Sequence, residues 1–315
     1  MKKVFITGAS GTVGATFIKN NYKKFKFYSY SRNEKAQVLL KRMHNEVEII
    51  LGSVEDKLTL DNYIKKINPD IIIHAAAMKH VDSAEKQPYE MVKSNIIGSK
   101  NIVDVAKENK IQLTIGISTD KACSPQNLYG YSKKIMEKMF LEANTQETRF
   151  CCTRFGNIAG SNGSVIPFWL NKKRLNEPLT VTSTKMTRLM ISKDQASKIV
   201  EDCIDFVEEF TEGFILAKKM KKVAVIDIAK NISDNIVEIG IRPGEELSEN
   251  LISDEELYYT NVIGDNILIF DKKNELFKNL SKPLNSNNAE KMSEEELIQL
   301  INNVKLELEN KQLYY

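Results

Sequence analysis

The sequence predicts an α/β fold, a doubly wound parallel sheet with a smaller C-terminal lobe. Three observations predict it. Short apolar runs alternate with helical stretches through the first half of the 315 residues, the pattern of a parallel sheet wrapped by helices. A glycine-spaced turn follows the first apolar run directly. After about Arg154 the alternation loosens, and Gly156, Gly160, Gly163, Pro167 and Pro178 punctuate the chain, which reads as a lobe packed over the carboxyl edge of the sheet.

Val4–Thr7 is a short apolar run ending at Gly8. Phe25–Tyr30, Val47–Leu51, Asp70–His74 and Leu113–Ser118 are further runs of strand length, rich in β-formers. Between them Asp56–Ile67, Ala84–Glu108 and Leu128–Ala143 mix polar and apolar residues at helical spacing. Residues 284–315 open on Asn285, Asn287 and Asn288 and continue as SEEELIQLINNVKLELE, a polar turn capped into a terminal amphipathic helix. The expected division is 1–158 for the sheet domain with the chemistry and 159–315 for the smaller lobe and terminal helix, with later segments returning to the first.

Composition removes several function classes. Apolar residues at 42% and charged residues at 28% suit a packed core and argue against disorder. No apolar run reaches the roughly 18 residues of a membrane helix. The basic start MKKVFITGAS loses its apolar character at Gly8, so no standard secretory signal is expected. Lys and Arg total 45 against 42 Asp and Glu, too balanced for nucleic-acid binding by charge. Four cysteines without CxxC spacing and only three histidines point to a reduced, cytoplasmic protein with no metal site. Seven arginines in a lysine-rich chain draw notice, because guanidinium grips phosphate bidentately; surface ion pairing is the alternative for each.

Gly8, Gly11 and Gly14 form GxxGxxG between the first strand and a helix. Glycine lets the backbone approach a pyrophosphate, and the helix N-terminus offers it unpaired amides. In that strand–turn–helix context the triplet reads as a dinucleotide site. The second strand ends on Ser31 and Arg32, where an NAD site usually places an acid for the ribose hydroxyls. A hydroxyl and a guanidinium suit a 2′-phosphate, which favours NADP over NAD. The alternative for Arg32 is a solvated surface side chain.

Residues 118–133 read STDKACSPQNLYGYSK. Tyr129 and Lys133, four apart, share a face at a helix start. An ammonium beside a tyrosine stabilises phenolate and lowers a pKa of about 10, so such a tyrosine can take a hydroxyl proton as hydride leaves the same carbon. Tyr131 has no lysine four residues on.

These residues resemble the extended short-chain dehydrogenase/reductase superfamily. Within it the chain resembles the configuration-inverting UDP-N-acetylglucosamine 4,6-dehydratases that open pseudaminic acid biosynthesis. FITGASG, HAAAMKHV, KSNIIGSKN, STDKACSPQNLYGYSK, TRFGNIAGSNGSVIPF, MTRLMIS and IRPGEELSE carry the likeness. Asp120-Lys121 is its most specific part, because retaining 4,6-dehydratases have Asp-Glu there. The resemblance implies a Rossmann-type fold, a retained and recycled NADP, a UDP-sugar substrate and a homo-oligomer paired through the Ala84–Glu108 and Leu128–Ala143 helices.

It also implies roles. Tyr129 takes the C4 hydroxyl proton, with Thr119 on the C4 oxygen. Lys121 removes the C5 hydrogen and Asp120 protonates the departing C6 hydroxyl. Reprotonation of C5 from the opposite face inverts it. Lys133 and the oxidised nicotinamide, both positive, are expected to depress Lys121 below the ordinary lysine pKa of about 10.4. Ser10, Thr12, Val13, Ser53, Val54, Ala75, Ala76, Ala77 and Lys79 join the glycines around the cofactor, with Asn95 steadying Lys133. His74 is read as a packed histidine. Asn157, Val165, Thr180, Thr182, Arg188, Arg242 and Glu245 hold the nucleotide sugar, and Lys79 meets its phosphate.

Five positions depart from the family pattern. Ser53 replaces an aspartate that reads adenine, Phe155 a tyrosine, Asn162 an arginine, and Glu246 and Ser248 a lysine and a histidine. Ser53 should weaken the adenine contact. The others lie on the substrate side and bear on substrate identity or the strength of diphosphate binding rather than on the chemistry. A retaining dehydratase or an epimerase is the rival enzyme, against which Lys121 stands. A non-catalytic NADP-sensing protein is the rival from another class. Cys123, two residues past Lys121, is expected to make activity sensitive to thiol reagents.

Overall fold

The computed structural model describes residues 1–272 and 280–312. The first half runs β1 (Lys3–Thr7), α1 (Thr12–Asn21), β2 (Lys26–Ser31), α2 (Glu34–Met43), β3 (Glu48–Leu51), α3 (Lys57–Ile67), β4 (Ile71–His74), α4 (Val81–Lys86), α5 (Pro88–Met91), α6 (Gly98–Glu108), β5 (Leu113–Ile117), α7 (Leu128–Ala143) and β6 (Arg149–Thr153). The second half runs β7 (Asn157–Ile158), α8 (Val165–Arg174), β8 (Leu179–Val181), β9 (Thr187–Ile191), α9 (Lys193–Glu209), β10 (Phe214–Lys218), β11 (Lys221–Ala224), α10 (Val225–Lys230), β12 (Ile236–Glu238), β13 (Asn250–Ile252), β14 (Thr260–Ile263), β15 (Asn266–Phe270), β16 (Leu284–Asn285) and α11 (Glu294–Gln312).

Among the described residues, nine strands form the main sheet in the order β14-β15-β10-β6-β5-β4-β1-β2-β3. β1 to β6 and β10 are parallel, and β15 and β14 continue antiparallel at one edge. Val4, Phe5, Ile6, Ile71, Ile72 and Ile73 are buried along consecutive positions, as a sheet covered on both faces requires. The strand order reverses between β1 and β4, and a crevice opens at their carboxyl ends. β10, β14 and β15 come from the second half, so residues on both sides of 158 build this sheet.

One predicted element is broken. Ala84–Glu108 is not a single helix. α4 ends before Gln87, whose φ of −131° and ψ of 61° leave the helical region. Pro88 is the reason, since its ring disfavours α conformation in the preceding residue. The chain restarts at Pro88, widens into a π-helical stretch at Val92–Ile97, and becomes regular again in α6.

A second core lies beside the sheet, formed by Ile166, Trp169, Leu179, Val181, Ile228 and Leu300 among others. β9 joins the two cores by its period of two. Leu189 and Ile191 face the first, and Met190 faces the second. The terminal helix begins with a reciprocal cap: Glu296 N donates to Ser293 Oγ at 3.2 Å and Ser293 N to Glu296 Oε2 at 2.9 Å. Leu297, Leu300, Ile301 and Val304 bury its apolar stripe in the second core. Residues 313–315 of the segment read from the sequence lie outside the described residues.

Candidate active site

A cleft of about 830 Å³ follows the carboxyl ends of β1, β2, β4 and β5. A second hollow of about 420 Å³ continues it toward β8 and α8, sharing Asn157, Ile158, Ser161, Gly163 and Ser164.

The first cleft begins where β1 turns into α1. Gly8 has φ 68° and donates its amide to Tyr30 O at 2.9 Å. A Cβ there would lie 2.7 Å from Ala76 N, so only glycine lets β1 and the 75–77 strand end close on each other. α1 starts at Thr12 with no side-chain cap and no acidic residue in its first turn. Its free amides therefore face the cleft without competition, as an anionic pyrophosphate requires. Ser10, Gly11, Val13, Gly14, Ser31, Arg32, Ser53, Val54, Ala75, Ala76, Ala77 and Lys79 line the same cleft. The cradle fits a dinucleotide.

Arg32 stands at the rim, 3.3 Å from Glu55 with most of its side chain in solvent. An exposed pair of this kind is worth little, about 0–1 kcal/mol, so the guanidinium is free to turn to another anion. Lys79 Nζ reaches across to Asn162 O at 2.5 Å, and Asn162 N donates to Thr12 Oγ1 at 3.0 Å. The 160–164 loop thus spans the cofactor cleft through its backbone.

Asn95 lies elsewhere. It is buried behind the cleft, where its amide is used on Met78 N at 2.8 Å, Met78 O at 2.9 Å and Ser132 Oγ at 2.9 Å. It makes no direct bond to Lys133, whose ammonium donates to Ile117 O at 2.8 Å. The expected steadying of Lys133 is not direct: the π-helical stretch turns the amide inward, to brace the 78 turn against α7. His74 is fully buried between Thr7 Oγ1 (2.8 Å) and Ser99 Oγ (3.1 Å), and burial pushes its pKa down to about 3.

Past β5 the chain is pinned to β6, with Ser118 N donating to Thr153 O at 2.8 Å and Asp120 N to Phe155 O at 3.0 Å. Thr119 opens a single 3₁₀ turn over Asp120–Ala122, and its hydroxyl donates to Asp120 Oδ1 at 2.9 Å. α7 is capped by Asn127 Oδ1, which accepts from Gly130 N at 2.9 Å. Asn127 Nδ2 donates to Gly244 O, in the loop between β12 and β13, at 3.0 Å. A Cβ on Gly130 would sit 2.3 Å from Lys121 O, so this glycine lets α7 start against the 121 turn. Thr119, Lys121, Tyr129 and Lys133 all line the cleft, while Asp120 sits just behind Lys121 with no side-chain exposure.

The electrostatics differ from expectation. Lys121 is not depressed. Burial works against its charge, but Asp120 Oδ1 at 3.2 Å and Glu249 Oε1 at 2.8 Å outweigh it and hold its pKa above the ordinary value. Tyr129 is pushed up to about 12, by burial first, and the cation working against that is Lys121 rather than Lys133. Lys133 is drawn under the cleft by Ile117 O, and burial lowers it to about 8. Burial and the Glu249 charge raise Asp120.

Glu249 is the residue that sequence reading missed. It ends IRPGEELSE but carries no local pattern that marks it as buried or functional. Its carboxylate meets Lys121, Arg188 (Nε at 3.3 Å) and Asn157 (Nδ2 at 3.0 Å).

The second hollow is lined by Asn157, Val165, Thr180, Thr182, Arg188, Arg242 and Glu245. Arg188 is largely committed to the protein, donating to Thr187 O at 2.8 Å and Glu246 O at 2.9 Å. Arg242 is exposed and paired with Glu245. Arg154 is fully buried and faces neither hollow; Glu137 and Glu256 hold its guanidinium. Among the described residues no group of His, Cys, Asp and Glu is placed to hold a metal, and no helix is long and apolar enough to cross a membrane.

Residues 4–272 match the family described as polysaccharide biosynthesis protein. The inverting UDP-N-acetylglucosamine 4,6-dehydratase of Campylobacter jejuni is 36% identical, covering 96% of this chain and 97% of that protein. A UDP-glucose 4-epimerase of Rickettsia bellii is 33% identical over 84% of this chain and 81% of its own. The X-ray structure of Pen from Bacillus thuringiensis superposes with a TM-score of 0.89 at 30% identity, covering 97% of this chain and 98% of that one. With its nine-stranded sheet, glycine turn and Tyr129–Lys133 pair, the chain belongs to the polysaccharide biosynthesis protein family, within the extended short-chain dehydrogenases/reductases.

Proposed function

We propose that this chain is a UDP-N-acetylglucosamine 4,6-dehydratase that inverts C5, giving UDP-2-acetamido-2,6-dideoxy-L-arabino-4-hexulose. The observation that carries the reading is Lys121, an amine lining the same cleft as Tyr129 with Asp120 directly behind it. The C. jejuni relative, inverting by its name, supports it.

The glycine turn, the α1 N-terminus and the 75–77 segment would hold a dinucleotide, and its nicotinamide would accept and return one hydride, so none is consumed. The remaining steps are the protein's own. Tyr129 takes the proton of the C4 hydroxyl as its phenolate, the form the Lys121 charge favours against burial, with Thr119 orienting that oxygen. The C4 ketone acidifies C5–H, which Lys121 removes. Asp120, kept protonated by burial, gives its proton to the C6 hydroxyl, and water leaves. The returned hydride would go to C6 while C5 takes a proton on the face opposite Lys121, which inverts it. Each positioned acid or base contributes on the order of 10²–10⁴-fold.

Ser31, Arg32 and the absence of an acid at the end of β2 favour NADP over NAD. The diphosphate would lie near Asn157 and the 160–164 loop, with Arg188 and Arg242 beyond and Thr180 and Thr182 passing the uracil. Asn162 and Phe155 at this end make the hexosamine the least constrained part of the reading. A second copy would cover the exposed apolar residues Tyr89, Val92, Ile97, Tyr131 and Ile135, giving a homo-oligomer. The product suits pseudaminic acid biosynthesis in the cytoplasm.

Proton NMR of UDP-N-acetylglucosamine turned over in heavy water tests the reading. A 4-keto-6-deoxy product with deuterium and inverted coupling at C5 is expected. Unchanged C5 configuration refutes inversion. The second reading, an epimerase, draws on the R. bellii relative and predicts a product that keeps every substrate oxygen.

A further inference from the structure

Lys121 must lose a proton before it can take one from C5, and Asp120 must regain one after giving its own away. Glu249 meets both needs. It precedes β13, its amide donating to Ser286 Oγ at 2.9 Å and its carbonyl accepting from Ser286 N at 2.9 Å. Oε1 is 2.8 Å from Lys121 Nζ, and Oε2 accepts from Asn157 Nδ2 at 3.0 Å. Its backbone is fixed by one segment and its carboxylate by three others. Asp120 Oδ2 is buried with no donor on it, which suits an oxygen carrying its own proton toward the adjacent Glu249. Arg188, Glu246 and the Tyr129 phenol are the other titratable groups facing the cluster.

We propose that Glu249 is the proton-positioning residue of this site, taking the Lys121 proton when sugar fills the cleft and passing it to Asp120 after elimination. The inference rests on the dehydratase reading. At rest Lys121 is an ammonium, Glu249 a carboxylate and Asp120 a carboxylic acid. A Lys121 N–H bond breaks and an O–H bond forms on Glu249, turning an ion pair into a neutral pair, a change that a water-poor cleft favours because burial penalises charge. The free amine takes the C5 proton. The C5–H electron pair becomes the C5–C6 double bond, the C6–O bond breaks, and the Asp120 proton leaves with that oxygen as water. Asp120 is then a carboxylate beside the Glu249 acid, and one proton crosses between them. Lys121 is again an ammonium, and bulk water has supplied no proton. The directions of titration agree with the resting charges and with the return of the proton to Asp120: Asp120 is raised, and Lys121 and Arg188 hold Glu249 low against its burial. The same contacts hold Lys121 high, so its proton leaves only once sugar has taken water from the cleft.

Glu249→Gln keeps the size of the side chain and removes its ability to take a proton. In stopped flow, C4 oxidation read as reduced-cofactor absorbance should persist within a few-fold. Water elimination should fall about 10²–10⁴-fold, so reduced cofactor accumulates where the wild type shows it only briefly. KM should hold, and Glu249→Asp should recover part of the rate. In the wild type the elimination rate should be flat below neutrality and fall above it, since the cluster must keep its proton count; a free lysine base would give a rate that climbs with pH.

Elimination at the wild-type rate in Glu249→Gln, or loss of oxidation and elimination alike, overturns the inference. If that variant does not fold, the wild-type profile decides, together with the infrared band of the Asp120 acid, identified by its loss in Asp120→Asn. A wild type that oxidises C4 but releases no water fails the dehydratase reading and this inference together. A wild type that dehydrates, with a variant that does so equally, fails the inference alone.

Discussion

Two buried ionic networks tie residues 249–256 to the first half of the chain, and they are built to opposite ends. In one, Arg154 places all five N–H groups: on Glu137 at 2.9 and 2.7 Å, on Glu256 at 2.7 and 2.9 Å, and on Leu251 O at 3.0 Å. Ser118 Oγ donates to Glu137 at 2.7 Å and Lys134 Nζ to Glu256 at 2.9 Å. Two acids meet two bases, and neither hollow reaches them. In the other, Lys121, Asp120, Glu249 and Arg188 leave Asp120 Oδ2 buried with no donor on it, and Lys121 opens into the cleft. A closed network holds one arrangement of charge, whereas one with an orphan and an opening has protons to move.

Single substitutions should separate the two. Lys121→Met keeps the apolar stem and removes the amine. Turnover of UDP-N-acetylglucosamine to the 4-keto product should fall about 10²–10⁴-fold, with a smaller loss of melting temperature than Arg154→Met gives, because Arg188 and Asn157 still meet Glu249. Arg154→Met does the reverse. It strands Glu137 and Glu256 in the interior and should cost about 3–5 kcal/mol, read from urea unfolding. Turnover per correctly folded site should stay near wild type. An Arg154 variant that is stable but inactive would dissolve the distinction.

The contrast also marks what was legible in the sequence. The cofactor end is made by backbone and by missing side chains, within contiguous stretches. Gly8, Gly11 and Gly14 announce their turn because a Cβ cannot fit there. Tyr129 and Lys133 announce theirs by helical spacing. The ionic networks are joined by side chains far apart in sequence: Lys121 and Glu249, or Glu137 and Glu256. No periodicity reports such pairs, which is why Glu249 was missed and why Lys121 was expected to be depressed by Lys133 and the nicotinamide. The break at Pro88 belongs to a different class, since the proline was visible and only the helical pattern around it hid the stop.

The open network should also reveal itself in stability. The Asp120 carboxyl is raised from the ordinary carboxylate range to about 7, by burial first and by Glu249 second. The folded state therefore holds a proton that the unfolded chain has released, and this contribution is lost as pH rises from about 4 toward about 7. Asp120→Asn resembles the protonated acid at every pH. Its stability relative to wild type should climb by up to about 1.4 kcal/mol per pH unit through that window and level off above it, while elimination is lost. Parallel melting curves across the window would show that the proton is not held.

The smallest expected effect is at Cys123, which lies beside Lys121 in sequence but belongs to the closed network. The residue is 6% exposed, and its thiol donates to Glu256 Oε2 at 3.2 Å. Burial pushes its pKa up to about 12, further than the nearby Arg154 charge can offset. Reaction with alkylating reagents needs the thiolate and access to it, and both are withheld, so the expected thiol sensitivity is corrected. Cys123→Ser keeps a donor to Glu256 and should change stability by no more than about 1 kcal/mol, with activity and its response to alkylating reagent both unchanged. Rapid labelling of Cys123 in the folded enzyme would show that the Glu256 contacts open in solution. In that case the network is not closed, and the difference between the two is one of timescale rather than of construction.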